Sequence, residues 1–258
     1  MGKARITAIT ALLACCAAGA AFAQESGNLG NAANDPTASI TSYQFQDYYT
    51  YNFHNAPNAT ANRLQFRAAI PFSTGDLNHI FRITVPYQTE TPGGADGWSD
   101  ITIFDLVTFD RSWGRFGIGA VALLPTGSSG LSAEKWGLGP AAGFVANEPW
   151  GVWGLFNQNI FTVGGDNSRP DVDISILQPV FNYQLGNGWS VGPSEMLVTY
   201  DWENGDWASL PLGIGVNKLV PIGGNPWQFT LSYERNFKDD GVRPADTLNF
   251  TAKLLVSN

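Results

Sequence analysis

Hydrophobic and polar residues alternate with a period of two along most of the chain after residue 40. The stretch RLQFRAAIPF has two distinct faces: one carries Leu64, Phe66, Ala68, Ile70 and Phe72, the other Arg63, Gln65, Arg67 and Ala69. Period-two alternation is the pattern of a β-strand with two different environments. It recurs in Tyr43–Phe53, Phe81–Tyr87, Trp227–Glu234 and Leu248–Val256. The stretch Ile101–Phe109 is less regular, because Asp105 interrupts an otherwise apolar run.

Runs of this kind predict about twelve strands and an all-β fold class. Their predicted centres are Tyr48, Phe66, Ile83, Phe104, Ala120, Ala141, Phe156, Val180, Leu197, Gly213, Leu231 and Thr251.

The breaks between the strands mostly alternate in length. Long polar breaks are predicted at His54–Asn62, Thr89–Ser99, Thr126–Lys135, Gly164–Asp171 and Lys238–Asp246, and short ones at Ser73–Asn78, Asp110–Gly114, Asn147–Pro149 and Gly186–Gly188. The breaks Glu203–Asp206 and Pro221–Asn225 are similar in length and weaken the rule. This layout is typical of an antiparallel transmembrane barrel of outer-membrane type, with its short turns on the periplasmic side.

Tryptophan positions favour this barrel over a soluble β-sandwich, in which strands also alternate. Indoles at strand ends form interfacial girdles in membrane barrels. Only Trp153 lies deeper in a predicted strand, whereas the girdle is predicted from the eight tryptophans in or beside turns: Trp98, Trp113, Trp136, Trp150, Trp189, Trp202, Trp207 and Trp227.

The polar faces of the strands carry charges that a closed barrel would enclose. The predicted lumen-facing residues are Arg63, Arg67, Arg82, Glu195, Asp201, Glu234 and Lys253. The three arginines lie on neighbouring strands, and the acidic residues lie on strands near the far side of the barrel. Charges in a lumen select the solutes that pass. Alternatively, these groups pair with each other and fill a plugged lumen.

Glycines are concentrated in PTGSSGLSAEKWGLGPAAG (Pro125–Gly143), which raises the question of a phosphate-binding loop. Neither the P-loop nor the dinucleotide-binding spacing is present, and no helix follows. We therefore predict that the glycines form an inner wall with room for a solute or for side chains from across the barrel. The residues assigned to this wall are Gly117, Gly119, Gly137, Gly139, Gly143, Gly213 and Gly215.

The N-terminus has the pattern of an exported protein. Residues 1–23 predict a signal peptide that ends at Ala21-Phe22-Ala23; a rival interpretation is a lipoprotein box with Cys15 as the lipidated residue. Residues 24–39 are predicted to be a flexible periplasmic segment, and residues 40–258 the barrel. Without Lys3 and Arg5, 12 of the 14 basic residues remain against 22 acidic residues, a net charge of −10. This charge argues against a nucleic-acid partner.

Catalytic and metal-binding chemistry is sparse. The two histidines, His54 and His79, belong at opposite ends of the predicted barrel, and although Ser73 and Asp76 lie near His79, they form no recognisable triad. Acidic loop residues could hold a divalent cation or be solvated loop tips: Asp166, Asp171, Glu203–Asp206, Asp239 and Asp240. We expect no cofactor, no resident metal and no enzymatic role, with a hydrolase as the alternative.

A set of short motifs resembles a bacterial family of outer-membrane proteins described as transporters. The family is related to barrels of phenol and aromatic degradation clusters, and some members carry the label "neuromedin U". The matching stretches are IPFSTGD (Ile70–Asp76), SDITIFDL (Ser99–Leu106), LLPTG (Leu123–Gly127), KWGLGP (Lys135–Pro140), LQPVFNYQL (Leu177–Leu185) and LPLGIGVNK (Leu210–Lys218). The resemblance implies a twelve-stranded barrel with a channel-like role. The ending Val256-Ser257-Asn258 departs from the usual terminal aromatic residue.

Together these patterns predict an outer-membrane channel for the passive passage or binding of a small solute of aromatic or amphipathic character. Its expected partners are outer-membrane lipid and that solute. A structural or adhesion barrel with a plugged lumen is the alternative. The sequence leaves open the solute, the oligomeric state and whether residues 24–39 enter the lumen.

Overall fold

The computed structural model describes residues 29–256. The predicted signal peptide and Cys15 lie outside the described residues. The described chain contains fifteen strand segments: β1 (Thr41–His54), β2 (Ala61–Thr74), β3 (Leu77–Glu90), β4 (Gly97–Trp98), β5 (Ile101–Arg111), β6 (Gly114–Leu124), β7 (Lys135–Glu148), β8 (Gly151–Gly165), β9 (Ile174–Gly186), β10 (Trp189–Gly192), β11 (Val198–Asp201), β12 (Asp206–Ser209), β13 (Pro211–Ile222), β14 (Asn225–Asn236) and β15 (Arg243–Val256).

These segments close into a barrel of twelve antiparallel strands. β1 pairs with β2 on one side and with β15 on the other, so the sheet has no free edge there. β10 and β11 both pair with β9 and form one interrupted strand, while β12 and β13 continue the next. Short β4 pairs with β3 just before β5 begins. The predicted fold class is therefore confirmed. Closure matters because unpaired backbone groups are not tolerated in hydrocarbon.

The connections divide the barrel into a turn end and a loop end. Five connections are two-residue turns, at residues 75–76, 112–113, 149–150, 187–188 and 223–224. The connections at the other end are longer, and the break predicted at Pro221–Asn225 narrows to Gly223-Gly224. Both of these glycines have positive φ, 60° and 82°. Two successive left-handed residues define the type I′ turn that suits a tight hairpin.

One predicted strand centre is wrong. Leu197 lies in the coil of residues 193–197 that separates β10 from β11, whereas the other eleven centres fall inside strands. The cause is Pro193, which follows Gly192 and cannot donate to a strand ladder. The Gly-Pro pair was the available signal for this break.

The outer face of the barrel is apolar and exposed, as membrane contact requires. Its most exposed large side chains include Phe45, Ile118, Leu138, Leu212, Ile214 and Leu231. Among residues 29–256, no helix has the length and apolar character to cross a membrane.

Half of the inner face is filled by an apolar cluster. The cluster comprises Ile80, Phe104, Leu106, Val121, Ala141, Phe156 and Ile160, from β3 and β5 to β8. Glycines let these side chains lie directly on the wall: a Cβ at Gly143 would lie 2.5 Å from Cδ2 of Phe156, and one at Gly137 would collide with Cγ2 of Ile160. The space beside these two glycines is therefore filled by neighbouring side chains and is not free for a solute.

The N-terminal segment enters the barrel at the turn end. Residues 29–34 are helical, and Thr37 is fully buried. Lys253 donates from Nζ to the carbonyl oxygen of Ala33 at 2.6 Å, and Arg115 donates to that of Thr37 at 2.5 Å. Gln184 adds a third anchor at Asn31. Residues 29–38 thus rest against the inner wall rather than below the barrel.

Candidate functional site

The centre of the lumen is narrowed by the coil of residues 193–197. This coil folds inward where Gly213 of β13 leaves space for it. A Cβ at Gly213 would collide with the Ser194 hydroxyl. Glu234 holds the coil by accepting hydrogen bonds from Ser194 Oγ at 2.6 Å and from the Met196 amide at 3.2 Å.

The coil places Glu195 against the opposite wall. Its carboxylate forms an ion pair with Arg67 of β2 and accepts a hydrogen bond from the Tyr48 hydroxyl of β1 at 2.6 Å. Both partners in the ion pair are largely shielded, with side-chain exposures of 11% and 21%. Arg67 also contacts Thr84 through Nε. We call Tyr48, Arg67 and Glu195 the constriction.

Arg82 extends the constriction onto the apolar cluster. Its guanidinium lies 3.9 Å from the ring centre of Phe104 and 5.6 Å from that of Phe156. One terminal nitrogen is 3.4 Å from Oε1 of Gln158. Cation–π contacts of this kind stabilise a charge that has few polar partners. Arg82 therefore joins the filled half of the lumen to the polar half.

Two cavities lie on either side of the constriction. The loop-side cavity has a volume of about 380 Å³ and is bordered by residues such as Tyr48, Arg63, Glu234 and Arg243. The turn-side cavity, about 170 Å³, lies between the constriction and the N-terminal segment and includes Lys253 in its lining. Ser194, Glu195, Ser232 and Asn249 line both cavities.

The structure assembles most of the predicted lumen charges but not all of them. Arg63, Arg67, Arg82, Glu195, Glu234 and Lys253 line one or both cavities. Asp201 lies apart: it accepts hydrogen bonds from Asn204 and caps the turn of residues 202–205 at the loop end. Tyr48 was missed, because an aromatic residue on an aromatic-rich strand gives no signal of a charge partner.

The eight girdle tryptophans fall at the two ends of the barrel. Trp98, Trp136, Trp202 and Trp207 lie at the loop end, and Trp113, Trp150, Trp189 and Trp227 at the turn end. Trp202 Nε1 donates to Ser175 at 2.8 Å. Two rows of tryptophans, one at each end of the barrel, have the layout expected of interfacial girdles.

The glycine-rich loop before β7 is occupied by its own contacts. Asp100 accepts hydrogen bonds from the amides of Gly127 at 2.9 Å and Ala133 at 2.7 Å. Lys135 is 4% exposed and pairs with Asp171 at 2.6 Å. The amides and the ammonium group that a phosphate would require are therefore engaged by carboxylates.

The acidic loops also have internal partners. Asp166 accepts hydrogen bonds from the amide and hydroxyl of Ser168, which hold the pKa of this exposed carboxyl below its usual value. Asp240 pairs with Lys238 and Arg243, and these contacts lower its pKa. Within residues 29–256, no group of three or more His, Cys, Asp and Glu side chains is arranged to hold a metal ion.

A histidine–carboxylate pair lies on the outer face. His79 Nδ1 is 2.9 Å from Oδ2 of Asp105, and the ring of Phe72 stacks on the imidazole with centroids 4.7 Å apart. Their neighbours Ile80, Phe104 and Leu106 point inward, so His79 and Asp105 point outward. The irregular position of Asp105 was the sequence signal for this pair; Ser73 and Asp76, which are closer to His79 in sequence, are not its partners.

No protein-family model matches the sequence, and no curated protein sequence matches it. Among solved structures, the chain is similar to an outer-membrane channel from Pseudomonas putida F1, at 14% identity and a TM-score of 0.57, over 86% of this chain and 99% of that one. It also aligns with outer membrane phospholipase A from Escherichia coli (11% identity, TM-score 0.44, 90% and 98% covered). A third match is the translocator domain of the autotransporter NalP from Neisseria meningitidis (13%, 0.40, 94% and 97%).

The first similarity, together with strand pairing, defines the class: a closed twelve-stranded antiparallel barrel of outer-membrane type. At this level of identity the likeness concerns the fold, and function must be argued from the lumen.

Proposed function

We propose that this chain is an outer-membrane channel for passive passage of a small solute. The observation that carries the proposal is the pair of cavities that approach each other from opposite ends of the lumen and share four lining residues. The constriction separates the two cavities, and the N-terminal segment lies across the turn side of the smaller one. Both are held by a few polar contacts, which a passing solute can exchange more readily than it can displace a packed core.

The orientation follows from the connections. The short turns and the N-terminal segment face the periplasm, and the long loops face outward, as in other barrels of this class. The loop-side cavity is then the extracellular vestibule. The outer face, with its exposed apolar side chains and two rows of tryptophans, contacts outer-membrane lipid.

The lining favours a small solute of amphipathic or aromatic character. The constriction combines charge with the phenol ring of Tyr48, and Arg82 lies over Phe104 beside it. A solute that has one polar group and one apolar body can satisfy both halves of such a lining. A large or purely apolar solute would leave the ion pair unsolvated, which is costly.

Planar-bilayer recording tests the proposal. The purified full chain should give discrete, stable ionic currents, and a strain that lacks it should take up the solute more slowly. The absence of both effects would identify the alternative, a structural or adhesion barrel whose lumen stays plugged.

A hydrolase is the second candidate, because the His79–Asp105 pair is half of a charge-relay arrangement on the lipid-facing surface. Ser73, which lies near His79 in the sequence, donates its hydroxyl to Asn78 Oδ1 at 2.9 Å. Hydrolysis of phospholipid vesicles or of a chromogenic ester by the purified protein, and its loss in His79→Ala, would support this candidate. Equal background rates for both proteins would remove it.

A further inference from the structure

Arg63 differs from the other arginines in the lumen because it has no hydrogen-bond acceptor. Arg67 pairs with Glu195, and Arg82 reaches Gln158. Within residues 29–256, the guanidinium of Arg63 makes no hydrogen bond or ion pair, and its Nε is buried without a partner. Its contact is with the ring of Tyr48, 4.4 Å from the guanidinium carbon. A buried donor without an acceptor is costly, so it marks a place where an acceptor is expected.

The nearby carboxylates do not meet this need, because other groups engage them. Glu195 accepts hydrogen bonds from Arg67 and Tyr48, and Glu234 accepts them from the Ser194 hydroxyl and the Met196 amide. Arg63 is fixed in place by its stacking on Tyr48, and Tyr48 is fixed by its hydrogen bond to Glu195. The guanidinium is thus pre-oriented by the same contacts that form the constriction.

The free guanidinium lines the loop-side cavity. The volume of this cavity, about 380 Å³, falls within the range of about 300–1,000 Å³ that is typical of small-molecule sites. Apolar wall is supplied by Phe53, Leu197, Pro244 and Ala245. The second guanidinium in its lining, that of Arg243, is engaged by Asp240 and by the Ala208 carbonyl. The cavity therefore offers one guanidinium without an acceptor, that of Arg63, beside apolar surface.

From this arrangement we infer that the loop-side cavity is a binding site for a small monocarboxylate with an apolar body, and that Arg63 recognises the carboxylate. The guanidinium fork matches a carboxylate in a bidentate geometry. Glu195 and Glu234 line the same cavity, and their negative charge disfavours a dianion such as a phosphate monoester. The inference rests on the proposed function, because it specifies the solute that the vestibule would capture before passage.

Equilibrium binding by isothermal titration tests the inference, with the full chain in detergent and benzoate as the probe. Benzyl alcohol is the neutral probe of similar shape, and phenyl phosphate is the dianionic one. Benzoate should bind saturably, and both other probes should bind at least about tenfold more weakly, because a charge-assisted hydrogen bond contributes about 1.5–3 kcal/mol. Equal binding of benzoate and benzyl alcohol would overturn the inference.

The variants assign the effect to one side chain. Arg63→Gln should weaken benzoate binding by about tenfold or more. Arg63→Lys should give an intermediate affinity because it keeps the charge but loses the fork. Arg111→Gln is the matched control, since Arg111 lies at the turn end with its guanidinium on the Asp110 carbonyl. If Arg63→Gln loses its β-sheet circular dichroism, the affinity of Arg63→Lys decides, and wild-type affinity there overturns the inference.

Bilayer currents of the same protein separate this inference from the proposed function. Normal chloride currents without Arg63-dependent benzoate binding would remove the carboxylate site and leave the channel. Arg63-dependent binding without any current would remove the channel and leave a solute-binding barrel.

Discussion

The two halves of the lumen are built from the same alternating strands but differ in what fills them. From β3 through β5 to β8, the inward positions are apolar, and Phe104, Phe156 and Ile160 pack into a solid cluster. From β9 round to β2 they are mainly amides, hydroxyls and charges, such as Gln46, Gln228 and Thr251, and this half borders both cavities. The period of two thus defines the barrel, while the class of the inward residue decides where the barrel is open.

Glycine serves both halves, with opposite results. Gly137 and Gly143 let large side chains of the neighbouring strand lie flat against the wall, which closes the lumen. Gly213 instead makes room for the coil of residues 193–197, which brings Glu195 to Arg67. A glycine on the inner face therefore does not by itself indicate an open lumen, because side chains or backbone from neighbouring segments can occupy the space beside it.

The largest expected effect comes from emptying the filled half. Phe156→Ala removes a ring that is 1% exposed. It should lower the free energy of unfolding by about 3–5 kcal/mol, because truncating a buried aromatic residue leaves a cavity. Urea unfolding in detergent measures this loss. Single-channel conductance should rise at the same time, because the cavity adjoins Arg82.

Phe161→Ala is the control on the same strand, because Phe161 is 38% exposed on the outer face. It should cost much less stability and leave the conductance unchanged. Equal losses in the two variants would contradict the distinction between a packed inner half and a lipid-facing wall.

A smaller effect is expected at the constriction, in the open half. Glu195→Gln keeps the shape, but its one amide oxygen replaces two carboxylate oxygens that accept separately from Tyr48 and Arg67. It also leaves the arginine charge unbalanced. We expect a loss of about 1–3 kcal/mol in unfolding free energy. Because the net charge at the narrowest point becomes positive, the reversal potential in a salt gradient should shift towards anion preference.

Glu148→Gln provides the comparison for this variant, since Glu148 is exposed at the turn end. An unchanged reversal potential in Glu195→Gln would show that ions do not pass the Arg67–Glu195 pair.

The fold could be predicted from sequence because the alternation of apolar and polar residues within each strand shows that its two faces lie in different environments. The outward apolar residues, such as Leu212, Ile214 and Val216, repeat at every second position. The loop lengths show which strand ends lie at the same end of the barrel. No contact across the barrel is needed for either inference. The strand count and the antiparallel closure therefore follow from local pattern and chain length.

The site could be predicted only in part, because its contacts join distant strands. Arg67 and Glu195 are 128 residues apart, and they meet because an interruption after Gly192 turns a strand inward. Treating residues 193–197 as continuous strand placed Glu195 on the far wall. The apolar cluster was missed for a related reason: Ile101–Phe109 is apolar on both faces, and pattern alone does not show which face is enclosed.

A weaker effect is expected where the N-terminal segment meets the wall. Lys253→Met removes the hydrogen bond to the Ala33 carbonyl but keeps the aliphatic stem. Losing one such bond should weaken the docking of residues 29–38 by about 1 kcal/mol. Limited proteolysis near the N-terminus should then be faster, with barrel stability nearly unchanged. Lys218→Met, which loses contacts to the Asn187 carbonyl and the Trp189 ring away from the N-terminal segment, should cleave at the wild-type rate.

The smallest effect is a pH response of the same segment, and it depends on Asp35. Burial raises the pKa of this carboxyl above its ordinary value of 3.8, against the opposing hydrogen bonds from Thr37. Because the docked form binds the proton more tightly than the released form, protonation stabilises docking. This stabilisation is complete below the ordinary pKa and is lost as the pH rises through the raised pKa. Channel currents should therefore be smaller at acidic pH than at neutral pH.

Asp35→Asn, which is uncharged yet can still accept hydrogen bonds from Thr37, should show the small acidic current at neutral pH and a current that does not change with pH. The control Asp166→Asn, in an exposed loop, should keep the wild-type profile. A wild-type profile in Asp35→Asn would show that the segment does not limit the current, and that the constriction alone does.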